Sequence, residues 1–171
     1  MPALSLGRTN SGDKNMGNST DSSEYLRALM QDYKMKIGPL TEFLPWLGQA
    51  TESAVSNYSG NGVTDASISF PVYSAELMSF IKACKISGLM DRNYPYVYSR
   101  RAIKTHDQER RLIVSATWKE WDVLCGILSK YVLGGQTRSS FWREGITEQI
   151  FYLTVSKMRE ITDFWDGNTS N

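Results

Sequence analysis

The residues best suited to chemistry in this sequence are a group of cations within the stretch YVYSRRAIKTHDQERRLIVSA, which spans residues 96–116. The five cations are Arg100, Arg101, Lys104, Arg110 and Arg111. Two aromatic residues, Tyr96 and Tyr98, precede them. Because cations neutralise phosphates and aromatic rings stack on bases, such a mixture is typical of a surface that binds single-stranded nucleic acid.

The charge of this stretch is local. Residues 92–111 contain six basic and two acidic residues, a net charge of +4, whereas the whole chain has a net charge of +1. Three interpretations stay open. The cations pair with acidic neighbouring helices, including the C-terminal one; or they bind RNA; or they bind an anionic membrane surface or an acidic protein. Each cation close to an anionic membrane contributes about 1 kcal/mol.

Catalytic chemistry has few candidates. His106 is the chain's one histidine, and its place in a polar connector beside Asp107 indicates a solvated side chain. No nucleophile elbow or glycine-rich phosphate loop is present. The two cysteines, Cys84 and Cys125, are too far from this histidine in the sequence to suggest a metal site. The sequence therefore predicts no enzyme, no metal, no cofactor and no small-molecule substrate.

Length and composition favour a single globular domain. The chain has 171 residues, of which 41% are hydrophobic and 12% aromatic, enough for a sizeable core. Both cysteines lie in apolar helical patterns, which indicates buried thiols and a reducing compartment. There is no run of 18 apolar residues and no apolar signal-peptide core at the N-terminus. We therefore expect a cytoplasmic location, without secretion or a transmembrane segment.

The first half of the chain predicts an arm, three helices and a strand. Residues 1–21 are rich in Ser, Gly and Asn and predict a flexible arm, residues 22–166 the globular domain, and residues 167–171 a frayed tail. The first helix should begin near Asp21 and end at Gly38-Pro39. A second helix should run from Thr41 to about residue 55. A strand at residues 66–73, with Ile68, Phe70 and Val72 on one face, should precede a helix that is capped by Ser74 and ends near Gly88.

The second half predicts a basic hairpin followed by two helices. Residues 96–104 and 109–116 are rich in β-formers, and THDQ connects them. The sequence T-W-K-E at residues 117–120 predicts a capping box for a helix over residues 118–133. A long helix over residues 140–164, bent near Gly145, should follow. The resulting fold class is α+β and mostly helical, with about five helices and a small antiparallel sheet of three strands.

The many aromatic residues have two interpretations. Most should pack in the core, among them Trp118, Trp121 and Trp165. Alternatively, some form a belt between subunits, because aromatic residues are enriched in protein interfaces. The candidates for such self-association are Phe43, Trp46, Phe141 and Trp142.

The C-terminal run SSFWREGITEQIFYLTVSK resembles the C-terminal part of rhabdovirus matrix proteins, in which a helix precedes a similar F…RE…F-x-L-x-V run. The similarity covers about 45 residues and includes gaps. It implies self-association, binding to nucleocapsid and membrane, and virion assembly. The order of helices, small sheet and arginines is also similar in plan to the helical coat proteins of rod-shaped plant viruses, although no motif matches residue by residue.

Taken together, these features predict a non-enzymatic, self-associating assembly protein of viral matrix type, present in the virion and the host cytoplasm. Its expected partners are further copies of itself, RNA or nucleocapsid, and an anionic membrane surface. One alternative is an RNA-binding protein, either a filament coat or a suppressor that sequesters RNA. Another is a cytosolic adaptor domain without a nucleic-acid role.

Overall fold

The computed structural model describes residues 17–59 and 69–167. These residues are mostly helical and include a small antiparallel sheet, which confirms the predicted class, although they form eight α-helices rather than about five. The predicted flexible arm lies outside the described residues as far as residue 16, and residues 17–21 belong to the first helix. Residues 168–171 of the predicted tail also lie outside them.

The helices are α1 (Gly17–Thr41), α2 (Leu44–Leu47), α3 (Ala75–Ile86), α4 (Tyr94–Arg100), α5 (His106–Ser115), α6 (Trp121–Gly134), α7 (Ser140–Thr147) and α8 (Ile150–Gly167). Two antiparallel strands, β1 (Val55–Ser59) and β2 (Ser69–Tyr73), lie between α2 and α3, and single 3₁₀ turns occupy Glu52–Ala54 and Trp118–Glu120. Pro71 lies in β2, which forms one edge of this two-stranded sheet, a position that tolerates the missing N–H of proline.

The core is built around α6, which is buried on nearly every side and packs against α3, α4, α5, α7 and α8. Aromatic rings join its neighbours: Phe80 of α3 meets Phe151 of α8 edge to face at 5.1 Å, and Tyr131 of α6 meets Phe151 at 6.0 Å. Gly126 permits the close approach of α4, because a Cβ at this position would lie 2.9–3.0 Å from the Val97 side chain.

The predicted end of the first helix is wrong, because α1 continues through Pro39 to Thr41. A proline deprives the carbonyl four residues earlier of its hydrogen bond, here that of Met35. Met35 and Pro39 are both exposed, so water can satisfy this carbonyl. Ile37 and Leu40 are fully buried and hold the last turns of α1 against the core.

The predicted second helix is also wrong beyond its first turn. The helix α2 covers only Leu44–Leu47, with Pro45 in its first turn, and the chain then turns at Gly48. Gly48 lies against α8, where a Cβ would meet the Tyr152 ring at 3.3 Å. The apolar residues Ala54 and Val55, assigned to the helix, instead end a 3₁₀ turn and begin strand β1.

The predicted basic hairpin consists of two helices, α4 and α5. The connector THDQ is a capping box: Thr105 accepts from the backbone N–H of Gln108, and the Gln108 side chain accepts from the N–H of Thr105. Pro95 in the first turn of α4 is likewise a helix-start signal. These start signals, rather than the β-propensity of the flanking residues, determine the local structure.

The remaining helix predictions are largely confirmed. Ser74 caps α3 by accepting from the Leu77 N–H, and Gly88 beyond its end has a φ of +78°. The Thr117–Glu120 capping box is present, although a 3₁₀ turn precedes α6. The predicted long C-terminal helix is interrupted at Gln149, with a φ of +59°, rather than near Gly145.

Candidate functional site

A buried ionic cluster joins α4, α5 and α6. Its centre is Glu109 of α5, which is only 1% exposed. The hydroxyls of Tyr98 and Tyr131 each donate to this carboxylate at 2.6 Å. The Lys130 ammonium donates at 2.9 Å, and His106 Nδ1 lies 3.0 Å away. Because each of the three helices supplies at least one group, the cluster fixes the helices relative to one another.

The electrostatics of the cluster favour an ionised Glu109 and neutral tyrosines. Burial by itself would raise the pKa of Glu109, but hydrogen bonds from the surrounding donors outweigh burial and hold this pKa below its ordinary value. Burial and the neighbouring carboxylate raise the pKa of both Tyr98 and Tyr131. At neutral pH the phenols are therefore donors and the carboxylate is the acceptor.

The expectation of a solvated His106 is wrong. The ring is half-buried at the start of α5, and its Nδ1 lies 3.0 Å from both the Glu109 carboxylate and the Tyr131 hydroxyl. Its Nε2 lies 3.7 Å from Glu144 of α7. The capping box at Thr105–Gln108, which sequence reasoning missed, makes His106 the first residue of α5. At that position its ring lies beside Tyr131 of α6.

Lys130 connects the cluster to the aromatic residues around it. Its ammonium lies 4.7 Å from the ring centroid of Tyr98, 4.8 Å from that of Tyr131 and 5.4 Å from that of Phe141. Such cation–π contacts stabilise an ammonium that burial has partly deprived of water. The charge of Lys130 is thus balanced by Glu109 and by the aromatic rings of its own chain.

Two of the five predicted binding cations are paired with acidic residues. Arg100 forms an ion pair with Asp122 and lies 5.7 Å from the centroid of the Tyr96 ring. Arg110 pairs with Asp107 at 2.6 Å and with Glu148, between α7 and α8, at 2.7 Å. For these two residues, pairing with neighbouring acidic groups is the interpretation that the structure supports.

The other three cations, Arg101, Lys104 and Arg111, have exposed side chains and form no ion pair with any residue in the described ranges. Of the two predicted stacking residues, Tyr96 is 57% exposed. Tyr98 is half-buried and its hydroxyl binds Glu109. The surface that remains available to an anion therefore consists of Arg101, Lys104, Arg111 and Tyr96, and we call it the basic surface.

The four residues predicted for self-association all pack against the core. Trp142 is buried and its Nε1 donates to the Val132 carbonyl at 3.2 Å, while Phe141 lies under Lys130. Phe43 packs edge to face on Phe80 at 5.5 Å, and Trp46 is half-buried. Packing within the chain accounts for these positions, and their role in self-association stays a prediction.

An open apolar groove of about 520 Å³ lies between the last turns of α8 and residues 116–119. Trp118, Ile161, Phe164 and Trp165 provide its large apolar lining. Phe164 is 65% exposed, and three charged residues, Lys119, Lys157 and Glu160, also line the groove. Sequence reasoning assigned Trp118 and Trp165 to the core and missed the groove. Both tryptophans do pack against the core, and they also line the groove. The available signal was that apolar residues continue along α8 to Phe164 and Trp165 at its C-terminal end.

No group of three His, Cys, Asp or Glu side chains in residues 17–59 and 69–167 is arranged to hold a metal ion. Within the same ranges, every helix is too short or too polar to cross a membrane. The chain matches no family model, no curated protein and no solved structure.

Proposed function

We propose that this protein is a non-enzymatic assembly protein that self-associates through the apolar groove. The observation that carries the proposal is the cluster of large apolar side chains around Phe164, which stays open to solvent although the chain has a well-filled core. Aromatic side chains gathered in one concave surface are typical of interface hot spots, where they supply most of the binding free energy.

The arrangement of polar groups also supports a non-enzymatic role. The carboxylate at the centre of the cluster, that of Glu109, is buried and occupied by four neighbours. A general base has to reach the proton that it removes. Glu109 is enclosed by side chains that donate to it, which favours a structural role.

Light scattering coupled to size-exclusion chromatography, over a hundredfold range of protein concentration, tests self-association. We expect wild type to form concentration-dependent oligomers and Phe164→Ser to shift towards the monomer. The matched control is Val114→Ser, because Val114 on α5 is also 65% exposed but lies outside the groove. A wild type that stays monomeric at every concentration would contradict the proposal.

The more specific form of the proposal is a matrix-type virion protein that also contacts an anionic membrane. It is supported by the resemblance of the C-terminal run, which forms α7 and the first eight residues of α8, and by the three unpaired cations of the basic surface. Flotation with vesicles of phosphatidylserine and phosphatidylcholine tests it. Binding that requires the anionic lipid and decreases in Arg101→Ala/Lys104→Ala/Arg111→Ala supports this form, and equal flotation of the variant contradicts it.

A second candidate function is binding of single-stranded RNA by the same basic surface, favoured by the exposed ring of Tyr96 and by the three exposed cations near it in the sequence. Fluorescence anisotropy with labelled RNA, at several salt concentrations, measures the salt dependence. Each lost phosphate contact should reduce the log–log salt slope by about 0.7, so the triple variant should lose about 2 in slope. The paired residues supply the control: Arg100→Ala/Arg110→Ala should change the slope less. Equal slopes in all three proteins exclude this function.

A further inference from the structure

The side chains near the start of α1 are largely exposed in the part of the chain that the structure describes. Residues 22–28 are exposed except for Leu26, which is half-buried. Tyr25 is 67% exposed, and Leu26 lies on the same helical stripe as the core residues Met30 and Ile37. Residues 22–29, which we call the overhang, therefore continue the apolar stripe of α1 towards solvent, and Leu29 near their C-terminal end still packs against the core.

The overhang begins where α8 ends. Lys34 of α1 forms ion pairs with Asp163 and Asp166 near the C-terminus of α8. Gly48, downstream of α1, lies against Tyr152 near the start of α8. The two helices are thus antiparallel, and the residues before Lys34 extend past the last turn of α8. At 1.5 Å per residue, the eight residues of the overhang span about 12 Å.

The groove and the overhang lie at the same end of the molecule. The groove is lined by the last turns of α8 and by Trp118. Three residues after Trp118, the ring of Trp121 stacks on that of Tyr33 in α1, with the ring centroids 4.0 Å apart. A copy's own overhang cannot fold back into its groove, because α1 is one continuous helix through this region. Filling the groove with this segment requires a second molecule.

We propose that the groove of one copy binds the overhang of a second copy, so that each of two molecules places its overhang in the groove of the other. This inference rests on the proposed self-association and names the segment that occupies the groove. Tyr25 and Leu26 would enter between Trp118, Phe164 and Trp165, as an amphipathic helix binds in an apolar groove. A two-fold axis makes the contact reciprocal, so each copy donates one helix and receives one.

Charge supports the same pairing. Lys119 at the groove lies 5.7 Å from the centroid of the Trp118 ring and forms no ion pair within the described ranges. Glu24 is exposed on the overhang, one residue before Tyr25. When Tyr25 occupies the groove, Glu24 reaches its rim, where Lys119 supplies the opposite charge.

Disulfide trapping tests the exchange directly. Tyr25→Cys protein is mixed with Phe164→Cys protein under oxidising conditions, and cross-linked peptides are identified by mass spectrometry. The native cysteines are buried, so their contribution to the background is small. We expect a disulfide between positions 25 and 164 of different chains, because the proposed contact brings their Cα atoms within about 7 Å. The matched control mixes Tyr25→Cys with Val114→Cys, which should cross-link at least tenfold less.

Charge reversal provides the second test. Glu24→Lys and Lys119→Glu should each weaken dimerisation, and the double variant should recover at least part of the wild-type affinity.

Three outcomes distinguish the proposed exchange from the proposed self-association. Preferential 25–164 cross-linking supports the exchange. A wild-type dimer that depends on Phe164 but gives no preferential cross-link overturns the exchange and leaves self-association intact. Absence of any wild-type oligomer overturns both.

Discussion

The junction of α4, α5 and α6 and the groove beside α8 use similar residues in opposite ways. At the junction, tyrosines, a lysine and a glutamate surround one another, and the central carboxylate is 1% exposed. At the groove, two half-buried tryptophans lie beside an exposed phenylalanine and an exposed lysine, with Phe164 65% exposed. The same classes of side chain thus stabilise the fold in one region and leave a binding surface in the other.

This difference predicts how the two regions respond to substitution. Changes at the junction should lower the free energy of unfolding, because they leave buried polar groups without partners. Changes at the groove should alter association and leave the free energy of unfolding nearly constant, because exposed side chains contribute little to stability. The predictions below test this division, beginning with the largest effect.

Glu109→Ala should destabilise the protein by about 3–5 kcal/mol, because it removes the acceptor of two buried hydroxyls and leaves the Lys130 ammonium without its counter-ion. Urea denaturation followed by circular dichroism measures the loss. Glu144→Ala is the control, since Glu144 is half-buried and touches the cluster only through His106 at 3.7 Å. A loss below about 1 kcal/mol for Glu109→Ala would mean that the junction is not the stabilising region.

Gly135→Ala should cost about 1–3 kcal/mol, because a Cβ at this position would overlap the indole of Trp142 and overpack the core. The adjacent glycines Gly134 and Gly135 permit α7 to pack closely on the end of α6. Gly38→Ala is the control: apart from its chain neighbours and its own helix, nothing lies within 4 Å of the added Cβ, so it should cost less than Gly135→Ala. Thermal unfolding should show the larger loss for Gly135→Ala, and equal midpoints would contradict the packing argument.

Acid should weaken the junction in a predictable direction. The pKa of Glu109 is lower in the folded than in the unfolded chain, so its ionised form stabilises the fold above the unfolded pKa of about 4.3. That contribution is lost as the pH falls through the lower folded pKa. The unfolding free energies of wild type and Glu109→Gln should therefore converge between about pH 5 and pH 3.

The comparison with Glu109→Gln isolates this one group, because Asp107 and Glu120 also have lowered pKa values and titrate in both proteins. Lys130 is the cation facing Glu109, Tyr98 and Tyr131 are its neutral donors, and His106 contacts it through Nδ1. A difference in stability that stays constant with pH would show that the charge of Glu109 does not contribute.

At the groove, Phe164→Ser should change the free energy of unfolding by no more than about 0.5 kcal/mol in the monomer while it weakens self-association. Urea denaturation at a protein concentration at which light scattering detects only monomer gives the first quantity. A large loss of monomer stability would place Phe164 with the junction residues and remove the contrast between the two regions.

How much of this division the sequence predicts depends on the kind of signal. Capping boxes and helical periodicity are local, and the Thr117–Glu120 box and the helical character of residues 140–164 were identified correctly. The equivalent signal at Thr105–Gln108 was present but was interpreted as a connector between strands, because Tyr96 and Val97 favour strands. Recognising it would have placed His106 and Glu109 on one helix, three residues apart.

Long-range contacts were beyond local reasoning. Nothing in the sequence near Glu109 indicates that Tyr98, Lys130 and Tyr131 surround it, because two of these belong to α6 and the burial depends on the packing of three helices. The pairing of Arg110 with Glu148 across 38 residues is similar. The groove was missed for the opposite reason: apolar periodicity identifies a stripe but not the point at which the core beneath it ends.

The last prediction concerns a flaw in the otherwise satisfied core, and it is the one case in which stability should rise. Thr154 of α8 is fully buried, and its hydroxyl has no hydrogen-bond partner in the part of the chain that the structure describes. An unsatisfied buried hydroxyl costs about 1–3 kcal/mol, and valine has nearly the same shape without the polar group. Thr154→Val should therefore stabilise the protein by about 1 kcal/mol in urea denaturation.

Thr162→Val is the matched control, because the equally buried Thr162 donates to the Arg159 carbonyl at 3.0 Å and should gain nothing from the exchange. If both variants were equally stabilised, the gain would come from hydrophobicity alone. A gain confined to Thr154 would instead show that stability in this core depends on whether each buried polar group has its partner, as the Glu109 cluster requires.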